Sequence, residues 1–131
     1  MSNSNKLLWL KRILAVKVIY TLVFSGLPLL LYPTTLLQWF GLPMPDQLIY
    51  MRLMGAIATA VGVAYWYAYK DPVHNIAILR AGIVDNGLVS LVFIIFIVFY
   101  NFRNITFLIS LPLTLFFFLS FILLIPKTEA A

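Results

Sequence analysis

The side chains able to do chemistry are few, and most lie where chemistry is hard to build. The acidic residues are Asp46, Asp71, Asp85 and Glu129. Asp46 and Asp71 sit beside prolines in turn-like stretches and Glu129 lies in the tail, so a paired-carboxylate hydrolase has no credible site. With no cysteine, thiolate nucleophiles, disulfides and thiolate metal sites are excluded. The single histidine, His74, cannot by itself make a zinc or bis-histidine haem centre. Phosphate-binding glycine loops, G-x-S-x-G elbows and H-E-x-x-H helices are absent from the sequence. No cofactor and no metal are therefore expected, and a membrane enzyme acting through Asp85 ranks behind non-catalytic roles.

Asp85 is different from the other acids because it interrupts a long apolar run. If that run is a helix in lipid, Asp85 lies roughly ten residues, or about 14 Å, from the helix start. An unpaired carboxylate at such depth costs on the order of 3 kcal/mol or more. Arg80 precedes it by five residues, which turns the guanidinium to another face, from which it is expected to reach headgroups. Lys17 fits better, since counting residues from the same interface places it only about 5 Å from the level of Asp85. The expectation is a direct or water-bridged Lys17–Asp85 pair, joined by Asn86 or Tyr20; the alternative is Asp85 carried in its protonated form. Together with Ser90, these residues make up the interior polar group. Arg52 is expected at the opposite interface, satisfied by Asp46, by the Tyr100–Asn101 end of a later span, or by a lipid phosphate.

These positions must be held by elements that suit lipid. A chain that is 63% hydrophobic and 10% charged departs far from soluble domains. About 30 Å of hydrocarbon needs roughly 20 apolar residues of helix. Four stretches qualify, at about 13–31, 47–69, 75–100 and 105–125. Strand alternation is lacking, so the fold class is an all-α membrane protein, a single domain of four transmembrane helices in an up-down-up-down bundle. Between the first two spans, Pro33 to Gly41 is too short to cross and is expected to lie along the interface. There Thr34 or Thr35 would cap a short helix, Gly41 would stop it, and Leu36, Leu37 and Phe40 would face lipid.

Spacing also assigns packing faces. Arg52, Gly55, Thr59, Gly62 and Trp66 share one arc of the second span, and Gly82, Asn86 and Ser90 one arc of the third. Small residues let helix backbones approach in lipid, so the two rows are expected to pack on each other. The fourth span, rich in phenylalanine, reads as lipid-facing or partner-facing, its Ser110, Thr114 and Ser120 hydroxyls bonded to their own backbone.

Basic residues set the expected orientation. Lys6, Lys11, Arg12, Lys17, Lys70, Arg80 and Lys127 fall on the side of the termini, against Arg52 and Arg103 on the other. Both termini are thus expected in the cytoplasm, with the chain in a bacterial inner membrane. The net charge of +5 belongs to this bias rather than to nucleic-acid binding, because no basic stripe with base-stacking positions exists.

The Leu31-Tyr32-Pro33 turn, Arg52-Leu53-Met54-Gly55 opening the second helix, the glycine-spaced run to Gly62, the Lys70-Asp71-Pro72 turn and the polar third helix form a pattern that resembles the small DoxX-like membrane proteins. The likeness covers roughly residues 29–90. It implies a four-helix membrane fold, and because some members serve quinone-linked oxidoreductase complexes as small subunits, it implies an accessory role. The leading expectation is a non-enzymatic subunit that packs against another membrane protein or itself amid membrane lipids. The alternative is a bundle that binds or transports a lipid, a quinone or another amphipathic molecule at the interior polar group.

Overall fold

The computed structural model describes residues 3–126, so Lys127 and Glu129, one counted toward orientation and one toward the acidic inventory, lie outside the described residues. Within them the chain is helical, and four helical stretches are long and apolar enough to cross a membrane: Asn3–Leu31, Leu48–Lys70, Ile76–Phe99 and Ile105–Leu124. This is a small integral membrane protein whose spans alternate in direction.

The first span is a composite. Helix α1 (Asn3–Ile19) runs into a π-helical segment, Tyr20–Gly26, and then into α2 (Leu27–Leu31). Pro28 explains the change, because a proline has no N–H for the carbonyl four residues back. Widening the turn shifts the ladder, and Leu27 N–H bonds to the Leu22 carbonyl five residues earlier. Helix α1 also begins ten residues before the apolar run expected from Ile13. Leu10 and Leu14 are fully buried one turn apart, so packing against neighbours holds helix where hydropathy alone reads a polar lead-in.

Helix α3 (Thr34–Trp39) forms the short connecting helix. Its N-cap is Pro33 rather than Thr34 or Thr35, with no side-chain cap bond. At its other end Gly41 adopts φ +75°, with Gly41 N–H bonded to Gln38 O and Leu42 N–H to Leu37 O, as in a glycine-terminated helix. Leu37, expected to face lipid, is 1% exposed, while Trp39 and Phe40 point outward. The turn is fastened to the last span: the Asn104 amide donates to the Gly41 carbonyl and Thr106 Oγ1 to that of Phe40, while Asn104 also caps the helix by accepting from Thr106 N–H.

Helix α4 (Leu48–Lys70) packs along the whole first span, and α5 (Ile76–Phe99) packs along α6 (Ile105–Leu124), with α1 closing the ring against α6. The expected contact between the small-residue rows of α4 and α5 is therefore corrected. A Cβ on Gly55 would fall 2.7 Å from the Leu29 carbonyl carbon, and one on Gly26 would fall 2.7 Å from Thr59 N, so Gly55, Thr59 and Gly26 bring the backbones of the first span and α4 together. Gly62 gives room to the Leu22 side chain. Trp66, at the end of that row, is instead exposed, with the Lys70 ammonium over its ring. The α5 row meets side chains instead, with Gly82 against Tyr65 of α4 and Phe121 of α6, and Ser90 bonded to Thr114 of α6.

Helix α6 is not simply a lipid-facing span. Thr114, Phe117, Ser120 and Phe121 lie on one arc and are buried, leaving Phe116, Leu119, Ile122 and Leu123 outward. Uniform apolarity hid this division, since hydropathy gives no phase when every face is oily. A core of Leu10, Leu14, Val18, Tyr65, Ala68, Leu79 and Phe121 fills the bundle at the end carrying the amino terminus and the α4–α5 turn.

Candidate functional site

Above that core lies a continuous polar chain that begins at Lys17, which is 4% exposed. Its ammonium donates to Asn86 Oδ1 at 2.6 Å. Three aromatic rings surround it, those of Phe117 at 4.8 Å, Tyr65 at 5.2 Å and Tyr20 at 5.7 Å to the centroids. Such faces carry negative quadrupole density and suit a cation removed from water. The site draws on all four spans: Lys17 and Tyr20 come from the first, Tyr65 from α4, Asn86 from α5 and Phe117 from α6.

Asn86 is the hub. Its amide nitrogen donates to Tyr65 Oη at 3.1 Å and to the Gly82 carbonyl at 2.6 Å, while its oxygen receives Lys17. Tyr65 passes the chain on by donating its hydroxyl to Asp85 Oδ2 at 3.2 Å. Gly82 makes this geometry possible, because a Cβ there would sit 2.7 Å from the Tyr65 hydroxyl. The expected direct Lys17–Asp85 ion pair is thus replaced by a linkage through Asn86 and Tyr65; adjacent residues on a helix point about 100° apart, so Asn86 faces the interior and Asp85 turns toward the α4–α5 seam. Among the described residues no basic group forms an ion pair with Asp85.

Asp85 is partly exposed and opens onto a groove of about 170 Å³ between α4 and α5. Val61, Ala64, Tyr65, Ala81 and Gly82 line it with Asp85. A second recess of about 360 Å³, beside Pro43 at the α3 end of α5 and α6, is lined by apolar groups including Phe93, Phe96 and Phe107, with no convergent polar group.

No protein-family model, curated protein or solved structure matches this chain.

Other polar groups tie spans together. Ser90 donates to Thr114 Oγ1 at 2.8 Å, and Thr114 in turn to its own helix at Leu111 O. Tyr20 Oη donates to Ser110 at 3.1 Å, so it joins the first span to the last rather than reaching Asp85. Among the described residues Arg52 forms no ion pair with Asp46 and no bond to Tyr100 or Asn101. Its guanidinium donates to Leu29 O at 2.9 Å and Tyr32 O at 2.8 Å. The Leu29 carbonyl would look to the N–H of residue 33, which is proline, so Arg52 supplies the missing donor at the negative end of a helix.

Spacing placed Lys17 about 5 Å from the level of Asp85 with Asn86 or Tyr20 as the joint; the structure bonds Lys17 to Asn86 and links it to Asp85 only through Asn86 and Tyr65. It separates Arg52, Gly55, Thr59 and Gly62 from them as the α4 face toward the first span. Sequence reasoning missed Tyr65 and Phe117. Tyr65 carried one usable signal, since it lies three residues beyond Gly62 on the buried arc of α4, apart from the interfacial Trp66 and Tyr67.

Proposed function

We propose that this protein is a non-enzymatic accessory subunit that acts through its lipid-facing surface on another membrane protein. One observation carries the reading: the bundle interior is occupied by its own side chains, with the Lys17 ammonium enclosed by three rings and bonded to Asn86. An enclosed chamber for a substrate is not what these helices build. Lys17, Asn86, Ser90 and Thr114 are engaged in joining spans, whereas Asp85 is an ionisable intramembrane side chain partly exposed at the α4–α5 seam.

Size weighs against the alternative, a bundle for a lipid or quinone. Small-molecule sites usually enclose about 300–1,000 Å³ with a few convergent polar groups. The groove at Asp85 has the polar groups but falls below that range at about 170 Å³, and the larger recess lacks polar groups. An accessory role also agrees with the proposed kinship to DoxX-like proteins. Orientation with both termini in the cytoplasm of a bacterial inner membrane belongs to the same proposal, supported by Lys6, Lys11, Arg12, Lys70 and Arg80 toward one end.

Purification of the full chain from its native membrane in mild detergent tests the reading. A partner protein retained at fixed stoichiometry is the expected result. A monomer that carries only a bound small molecule would overturn it.

A further inference from the structure

We infer that the groove beside Asp85 receives a lysine or arginine side chain from a transmembrane helix of that partner, an inference that rests on the subunit reading above. Among the described residues Asp85 accepts a hydrogen bond at Oδ2 from Tyr65, whereas a carboxylate offers about four acceptor positions. Intramembrane carboxylates ordinarily face a cavity or pair with a group of opposite sign. Lys17 cannot turn to serve, because its ammonium is committed to Asn86 and enclosed by Phe117, Tyr65 and Tyr20. A group that bonds the Asp85 carboxylate directly therefore comes from outside the bundle.

The shape of the groove favours a helix over a free ligand. About 170 Å³ has room for the end of one long side chain. Its walls include Ala64, Ala81 and Gly82, small residues of the kind that let a neighbouring helix backbone come close in lipid. Asp85 is the tenth residue of α5, which starts at Ile76, so the incoming basic group belongs about 14 Å along its own span rather than at a headgroup.

A second copy of the chain does not fit. A two-fold pairing through this face would set one Asp85 against the other. The basic residue this protein holds deep in a span is Lys17, and it is buried. The partner is a different protein with a basic residue near the middle of a membrane helix.

The test uses the full chain, labelled at its amino terminus with a donor fluorophore and reconstituted in phosphatidylcholine vesicles. The probe is an acceptor-labelled leucine helix of about 23 residues, with either lysine or leucine at its centre. Energy transfer at neutral pH is expected to show the lysine helix binding about tenfold more tightly than the leucine helix. That preference should vanish in Asp85→Asn, weaken in Tyr65→Phe and persist in Asp85→Glu, with far-ultraviolet circular dichroism unchanged in each. Equal binding of the two helices, or a lysine preference that survives in Asp85→Asn, would overturn the inference. So would hexylamine saturating the site while the lysine helix stays unbound, which would make the occupant a small amphiphile. If the lysine helix fails but a native partner co-purifies equally with the wild type and Asp85→Asn, the pairing is wrong and the subunit reading stands.

Discussion

Lys17 shows how one residue can be costly alone and stabilising in company. Its ammonium leaves water, and Asn86 together with three ring faces takes water's place. Replacing it with methionine keeps the volume but leaves Asn86 Oδ1 without its donor, and the expected loss is about 1–2 kcal/mol, the upper range for interhelical hydrogen bonds in lipid. Equilibrium unfolding in mixed micelles measures it. Asn86→Leu should lose more than Ser90→Ala, because Asn86 bonds to Lys17, Tyr65 and Gly82 while Ser90 bonds to Thr114. Equal losses would mean the hub is not a hub. Lys17, Asp85 and Asn86 were legible in the sequence because a polar group amid apolar residues is conspicuous and helical rise fixes its depth. Tyr65 was not, since a tyrosine in an aromatic-rich segment reads as interfacial until a neighbour shows where its hydroxyl goes.

At the level of elements, the first span and α4 meet backbone to backbone, and the glycines there differ in tolerance. A Cβ on Gly55 meets main-chain atoms of Leu29 and Leu30, with nothing that can swing away. Gly55→Ala is expected to cost about 1–3 kcal/mol, as overpacking does. At Gly87 the added carbon meets the Phe118 ring at 3.0 Å, and a side chain can yield. Gly87→Ala should therefore be clearly milder in the same unfolding assay. The lengths and ends of the last three spans were legible because hydrocarbon thickness dictates them, whereas the start of the first, at Asn3, was not. Which face meets which neighbour was not: the α4 row suits any close-packed helix, and nothing local in Gly55 or Gly62 says that the helix is the first rather than the third.

The turn between α4 and α5 yields a pH prediction. His74 N–H donates to Asp71 Oδ1 at 3.2 Å and the His74 ring contacts Oδ2 at 2.6 Å. First the backbone N–H, then the ring, hold the Asp71 carboxyl below its ordinary value. A depressed folded-state pKa gives a contribution that is present above the unfolded value of about 3.9 and lost as pH falls through the lower folded one. The His74 amide resonance should titrate with a midpoint under about 3.9. A midpoint at or above that value would show that the turn does not favour the ionised carboxylate.

For the molecule as a whole, the proposed topology has four crossings with both ends on one side, and the bias of basic residues favours the cytoplasm for that side. Reporter fusions at the amino and carboxyl termini are both expected to give cytoplasmic signals. Opposite signals would require an odd number of crossings. Recasting Lys17 as an interior residue takes one charge from the topogenic count, yet Lys6, Lys11, Arg12, Lys70 and Arg80 still outweigh Arg52 and Arg103.

The wide turn at Tyr20–Gly26 also sets an angular offset between the two halves of the first span. An α-helix advances about 100° per residue. Were the same seven residues wound as a regular α-helix, the segment would advance by roughly one residue's angle more and swing one half about the axis relative to the other. With the upper half gripped by Arg52 and Gly55, the ammonium of Lys17 would be carried off its azimuth toward Asn86. The segment thus acts as a phase-setting joint, letting one continuous rod keep a glycine seam and a caged cation each aimed at its own neighbour.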